Sequence, residues 1–324
     1  MNILYKYYSS SLELENYLLN PTIRLSQISG LNDPFEGKLT DRLISTMTQK
    51  MISAGQLESL GTIEKNEKKM RDITDYIMNS ISVVALTETQ RNLLMWAHYA
   101  SEHRGCCIGY QTDFISEKPV KSESKCFCYT PKKINYDDVV FDDEQIEAIN
   151  KIPHMNDEVL NKILHRAITT KSDEWIYEKE HRLVLPIEWS DEIIIRHTSK
   201  LPEYVKKIID KLRTSKGYKV VETTKLINIY PSLTERRGLW KDEEKEPFEN
   251  ALSKYKDALF LKKIDSKYIK SIYLGMNYPK AKKDSLIQIL KANKDQLGHI
   301  DLYSSDYSKE RFDIKTKKIH GNSI

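Results

Sequence analysis

Ile81-Ser82-Val83-Val84-Ala85-Leu86 is an apolar run, rich in β-branched residues and too short for a helix, so it reads as a buried strand. Asn92 to Ala100 follows with Leu93, Trp96, Ala97 and Ala100 at helical spacing, and Gly105 closes that unit. Cys106 to Tyr110 returns as a strand, and Arg182 to Ile187 repeats the apolar character. Upstream, Leu4 to Tyr8 is aromatic and β-prone, and Ser9-Ser10-Ser11 can cap a helix that runs to Leu19 and stops at Pro21. In Thr22-Ile23-Arg24-Leu25-Ser26, Ile23 and Leu25 share one face and Arg24 and Ser26 the other. Residues 22–26, 82–87, 106–110 and 181–187 are therefore expected in one central sheet, mixed or antiparallel and flanked by helices.

Residues 39–79 and 143–171 read as helical, the former broken near Gly55 and Gly61. Further strands are expected at 218–222, 226–230, 268–274 and 299–303, with a helix from Lys280 to Lys294. No repeat and no linker divides the chain. The economical reading is one α+β domain over residues 1–324, carrying a charged, partly helical insertion at about 197–260.

The chain of 324 residues is 40% hydrophobic and 30% charged, which excludes a disordered protein. Its formal charge of +4 is too small to imply nucleic acid by itself. No apolar run nears the ~20 residues that span a bilayer. Met1 to Tyr8 lacks the features of a secretory signal, so a cytoplasmic location is expected, with no membrane partner. Cys106, Cys107, Cys126 and Cys128 do not match zinc-ribbon spacing. Reduced thiols packed in a sheet are expected, with no metal; a tetrathiolate site is the alternative.

Phosphate loops, zinc-protease signatures and nucleophile elbows are absent. Four polar boxes remain. Arg24 with Ser26 could hold a phosphate or be an exposed strand charge. Asn32 to Glu36 is turn chemistry that also suits a sugar hydroxyl. In Met95 to Tyr99, Trp96 suits the core, whereas His98 and Tyr99 could hold a planar ring. In the fourth box, strand periodicity from 178 puts Glu178, Glu180 and Arg182 on one face, where clustered carboxylates perturb each other beside a compensating guanidinium.

Together these boxes resemble the bacterial domain-of-unknown-function family 2971. The resemblance lies in Leu4-Tyr5-Lys6-Tyr7, Leu25-Ser26 with Leu31 to Glu36, Met95 to Tyr99 with His103-Arg104-Gly105, Lys171, Trp175, Glu178 to Arg182, and Ile272 to Asn277. It extends from residue 4 to about 305, weakly over 197–260. It implies a bacterial cytoplasmic protein from a mobile or phage-defence setting and assigns no activity.

A looser pattern is similar to ADP-ribosyltransferases, which carry an Arg or His on an early strand, a Ser or Thr on the next, and Glu-x-Glu on a late one. Arg24, Ser82 or Thr87, and Glu178 with Glu180 occur in that order. The resemblance implies NAD as the nucleotide and leaves a macromolecular acceptor unidentified. Arg24, with Ser26 and Asn32 nearby, would bind the nucleotide. Ser82 or Thr87 would support the nicotinamide pocket, with Tyr99 stacking and His98 in the pocket. Glu180 would stabilise charge on the ribose and Glu178 would orient the acceptor. The alternatives are a nuclease with Mg²⁺ on Asp33, Glu36, Glu178 and Glu180, and a non-catalytic sensor or interaction module.

Overall fold

The run from Ile81 is buried on both faces and becomes the seam of the molecule. A computed structural model describes residues 3–115, 126–196, 201–232 and 248–321. Its strands are β1 (Ile3–Tyr8), β2 (Thr22–Gln27), β3 (Ile81–Thr87), β4 (Cys106–Gln111), β5 (Cys128–Lys133), β6 (Asn135–Asp137), β7 (Thr170–Ser172) and β8 (Glu180–Pro186). Then come β9 (Glu192–Arg196), β10 (Tyr218–Glu222), β11 (Leu226–Pro231), β12 (Leu259–Lys263), β13 (Ile269–Leu274), β14 (Asp301–Tyr307) and β15 (Ile314–His320). The helices are α1 (Leu14–Leu19), α2 (Asp41–Ser53), α3 (Ile63–Asn79), α4 (Leu93–Tyr99), α5 (Asp143–Lys151), α6 (Asp157–Thr169), α7 (Glu203–Thr214), α8 (Phe248–Ser253), α9 (Lys280–Ala292) and α10 (Lys294–Leu297).

Among the described residues, 13 strands form one sheet, ordered β10-β11-β9-β12-β2-β3-β1-β4-β13-β14-β15, with β8 on β3 and β5 on β8. Every pairing in it is antiparallel except β13 with β14, so the fold is α+β with a mixed sheet. All four strands expected at its centre are present. β6 and β7 form a separate parallel pair.

Because β3 is covered on both sides, both of its side-chain rows are apolar. Ile81 and Val83 pack with α2, α3 and α6 through Leu43, Met47, Met70 and Leu164. Val84 and Leu86 enter the larger core with Leu25, Ile108 and Leu183. A third cluster surrounds Trp96, whose ring meets Tyr7 edge-on and stacks parallel to His103.

One edge of β3 pairs with β8 along its whole length, from Ile81 against Pro186 to Thr87 against Glu180. The other edge is divided. Ser82 and Val83 pair with the end of β2, and Thr87 pairs with Tyr5 of β1. Opposite Val84, Ala85 and Leu86 the two neighbours diverge, and the sheet forks.

Several expectations need correction. Ser9 and Ser11 bond each other at 2.6 Å, and α1 starts only at Leu14, without a side-chain cap. The 143–171 stretch is two helices, separated around Pro153. Leu93 and Ala97 are exposed rather than core, because α4 packs on the sheet through the face that carries Met95, Trp96 and Tyr99. Within 197–260, β10 and β11 extend the sheet, and Val205, Ile209 and Leu212 of α7 join the main core. The remainder of that stretch, 197–200 and 233–247, lies outside the described residues. The four cysteines are buried and form no disulfide among the described residues, but they are divided among the three clusters, Cys106 in the first, Cys107 in the third, Cys126 and Cys128 in the second. Burial pushes the Cys106 thiol up to about 12. Among the described residues, no helix is long and apolar enough to cross a membrane.

Candidate functional site

The fork opens into a cavity of about 340 Å³. Its lining includes Tyr5, Lys6, Tyr7 and Tyr8 of β1, Arg24 and Ser26 of β2, and Ala85 to Thr87 of β3. Asn32 and Glu36 from the loop after β2, Met95 and Tyr99 of α4, and Lys171, Glu178, Glu180 and Arg182 complete it.

Local structure explains why the acidic residues converge. Glu178 ends a 3-10 turn over Asp173–Glu178 rather than lying in a strand, and Lys179 follows with φ of 46°. That left-handed step reverses the chain before β8 begins at Glu180, so Glu178 and Glu180 reach the same place from turn and strand. Thr87 Oγ1 holds the turn by donating to the Glu178 carbonyl at 2.5 Å. Tyr136 Oη accepts the Glu180 N–H at 2.7 Å. Glu36 arrives from a loop anchored by Gly37, whose N–H donates to the Ala167 carbonyl of α6 at 3.1 Å.

Arg182 is the hub of this cluster and is 1% exposed. Its Nε donates to Glu180 Oε1 at 2.6 Å and its Nη2 to Glu180 Oε2 at 3.0 Å, a two-pronged pair. Nη2 also reaches Glu36 Oε1 at 2.7 Å, and Nη1 donates to the Ile168 carbonyl near the end of α6, where a cation suits the helix dipole. Lys171 Nζ lies 2.6 Å from Glu178 Oε2, 3.3 Å from Glu36 Oε1 and 3.5 Å from Glu180 Oε2, and 4.4 Å from the Trp175 ring centre. On the opposite wall Tyr99 Oη donates to Glu178 Oε1 and accepts from Asn32 Nδ2 at 3.2 Å.

These contacts set the protonation states. Burial would raise the Glu180 carboxyl, but Arg182 and Lys171 outweigh it and hold the group below the ordinary carboxylate range. Glu36 goes the other way, with burial only partly offset by Arg182 and Lys171. Lys171 and Arg182 are held above their usual values because the surrounding carboxylates exceed the cost of burial. Tyr99 is raised by burial and by Glu178.

Four cationic side chains, Lys6, Arg24, Lys171 and Arg182, thus line the cavity against three carboxylates, Glu36, Glu178 and Glu180. Lys171 and Arg182 are fully engaged with the acids. Arg24 makes no ion pair among the described residues, and its buried Nε has no hydrogen-bond partner. The wall of the fork therefore has an uncompensated guanidinium aimed at its cavity.

Of the residues singled out from the sequence, Arg24, Ser26, Asn32, Thr87, Tyr99, Glu178 and Glu180 come together here. Ser82 and His98 do not. The Ser82 hydroxyl is fully buried and donates to the Leu185 carbonyl at 2.9 Å. His98 is exposed, its ring 6.5 Å from those of Tyr99 and Tyr177. Tyr99 acts through its hydroxyl toward Glu178. Asp33 is buried, and Oδ1 accepts the Phe35 N–H at 2.9 Å. The place among Glu36, Glu178 and Glu180 expected for Mg²⁺ is taken by the Lys171 ammonium. Lys6 and Tyr136 were not read from the sequence, though a lone cation inside the aromatic strand Tyr5-Lys6-Tyr7-Tyr8 was a usable signal.

A family comparison fits this wall of the cleft. Residues 95–183 match the model of DUF2971, a protein of unknown function. The matched segment contains Tyr99, Lys171, Glu178, Glu180 and Arg182, so two of the three cavity carboxylates fall inside it. Lys6, Arg24, Asn32 and Glu36 come from the chain before it. No curated protein and no solved structure matches the chain.

Proposed function

We propose that the fork binds NAD and that the protein breaks the bond between nicotinamide and ribose, passing the ADP-ribosyl group to water or to an acceptor. The observation that carries this reading is the unpaired Arg24 guanidinium across one small cavity from a rigid carboxylate cluster. A pyrophosphate supplies the anion that Arg24 lacks, through paired N–H donors. When the C–N bond breaks, nicotinamide leaves with the electron pair and positive charge grows on the ribose. A carboxylate already fixed in place stabilises that charge without reorganising. The acceptor oxygen or nitrogen then bonds to the ribose carbon and gives up its proton.

The carboxylate best suited to touch the ribose is Glu178, which stands beside Tyr99 and Asn32 on the cavity wall. Both carboxylates are engaged, Glu178 by Tyr99 and Lys171 and Glu180 by the two-pronged Arg182 pair. A ribose hydroxyl replaces the neutral Tyr99 hydroxyl on Glu178 more readily than it displaces a bidentate guanidinium, so Glu180 acts as a positioning residue that keeps Lys171 and Arg182 in place. Tyr5, Tyr7, Tyr8 and Tyr99 offer ring surfaces for a planar base.

The test is nicotinamide release from NAD by purified protein, alone and with cell lysate as the acceptor source. Glu178→Gln should lower the rate by about 10²–10³. Because it also takes a carboxylate from the buried Lys171 and should lower the melting temperature, the rate is compared at a temperature where both proteins are fully folded. Arg24→Met should raise KM far more than it lowers kcat. Saturable NAD binding with no release under either condition would leave a sensor and remove the enzyme.

A further inference from the structure

We propose that Lys6 is a second ligand for a pyrophosphate diester, reaching it from the bank of the fork opposite Arg24. The ligand's identity rests on the NAD reading; the placement of Lys6 does not.

Lys6 lies on β1 and Arg24 on β2, the two strands that diverge from β3. Both line the cavity between them. An ammonium carries three donors. Among the described residues Lys6 makes one hydrogen bond, to the Ala85 carbonyl at 3.0 Å, and no ion pair. That carbonyl belongs to the part of β3 that neither β1 nor β2 faces. Lys6 thus occupies the point of the fork with donors to spare. Lys6 and Arg24 line one cavity whose carboxylates are already paired with Lys171 and Arg182, an arrangement that is costly unless the site is built for a further anion. A diester bridging Lys6 and Arg24 would satisfy both and tie the banks together.

The charge on Lys6 is itself finely poised. Burial lowers its pKa most, Arg24 from β2 lowers it further, and Glu180 from β8 works against both, leaving a value of about 8. The remaining charged groups of the cavity, Glu36, Lys171, Glu178 and Arg182, are engaged with one another. Binding through Lys6 should therefore weaken as pH rises past this value.

The probe is ADP-ribose, whose diester phosphates do not titrate across the range, followed calorimetrically from about pH 7 to about pH 9.5. Wild-type affinity should fall about tenfold over that range. Lys6→Met, which keeps an unbranched side chain one atom shorter and removes the charge, should bind about tenfold more weakly at the lower pH and show a flat profile. Lys6→Arg should bind across the whole range. A Lys6→Met protein with wild-type affinity and pH dependence would overturn the assignment, as would a wild type that does not bind ADP-ribose. Nicotinamide release separates the two ideas. Binding with this Lys6 dependence but no NAD cleavage keeps Lys6 and removes the proposed reaction. Cleavage that is indifferent to Lys6→Met removes Lys6 alone.

Discussion

Arg182 has its whole side chain inside the protein, and three acceptors from three different segments depend on it. Glu180 lies on its own strand, Glu36 in the loop after β2, and the Ile168 carbonyl near the end of α6. Removing one partner of a buried ionic group leaves the others without compensation, which typically costs about 3–5 kcal/mol. Arg182→Met should lose stability of that order in urea unfolding, and loss below about 1 kcal/mol would show that water already reaches the cluster. The sequence displayed part of this arrangement. Alternation in Thr22 to Ser26 put Arg24 and Ser26 on the face that lines the cavity. Strand periodicity also grouped Glu178, Glu180 and Arg182, but through the wrong geometry, because Glu178 belongs to a turn ended by a left-handed Lys179. The lone cation in an aromatic strand marks Lys6 without giving it a role, and nothing local marks Tyr136. Lys6 matters because β1 and β2 part company at β3, and Tyr136 because β6 places it beside Lys171. Both are consequences of long-range pairing.

At the scale of elements, α4 must hold Tyr99 against Glu178, and its far end is secured in an uncommon way. Ser101, Glu102 and His103 have φ of 48°, 54° and 67°, three successive non-glycine residues in the left-handed region. Each costs roughly 1–2 kcal/mol, so neighbouring contacts must impose the turn. The His103 carbonyl accepts from Asn277 N–H at 3.0 Å, and the Gly105 carbonyl from Gly275 N–H at 3.0 Å. A Cβ at Gly275 would lie 2.0 Å from the His103 carbonyl oxygen, a backbone atom with no room to yield. Gly275→Ala should therefore cost about 2–3 kcal/mol, whereas Glu102→Gly should gain about 0.5–1 kcal/mol by relieving one strained residue. Chemical denaturation of both variants checks the pair, and equal stability in the two would refute this account of the turn. The same scale explains which strands were readable. β3 and β8 are apolar throughout and identify themselves. Leu259-Phe260-Leu261-Lys262-Lys263 does not, since its short run ends in two lysines. It is a strand because β2 and β9 pair with it on either side, an environment that overrides local propensity.

The whole molecule is a broad sheet that parts beside one strand, and the fork that makes the cavity also places a cationic side chain in the interior. Lys6 holds its proton in the folded protein only up to about pH 8, against 10.5 for a free lysine. Between those values the unfolded chain binds more protons than the native one, so stability rises with pH there. Below about pH 8 both states are protonated and the penalty of burying the charge is present in full. Buried tyrosines act in the opposite direction, since their raised values, such as about 12 for Tyr5, make stability fall only above the ordinary tyrosine range. In the window from about pH 8 to about pH 10 the buried Cys106 and Cys107 thiols, raised by burial, pull stability down, so it is the comparison with Lys6→Met, which shares those thiols, that isolates Lys6. Across it the melting temperature of the wild type should rise relative to that of Lys6→Met. The gain should be roughly 1–2 °C, on the order of 1 kcal/mol for a chain of this size after allowance for water at the cavity mouth. Lys6→Met should also melt higher than the wild type at about pH 7, because it lacks the penalty altogether. Parallel melting curves for the two proteins from about pH 7 to about pH 10 would mean that solvent screens Lys6 completely and that the fork carries no buried charge for a ligand to compensate.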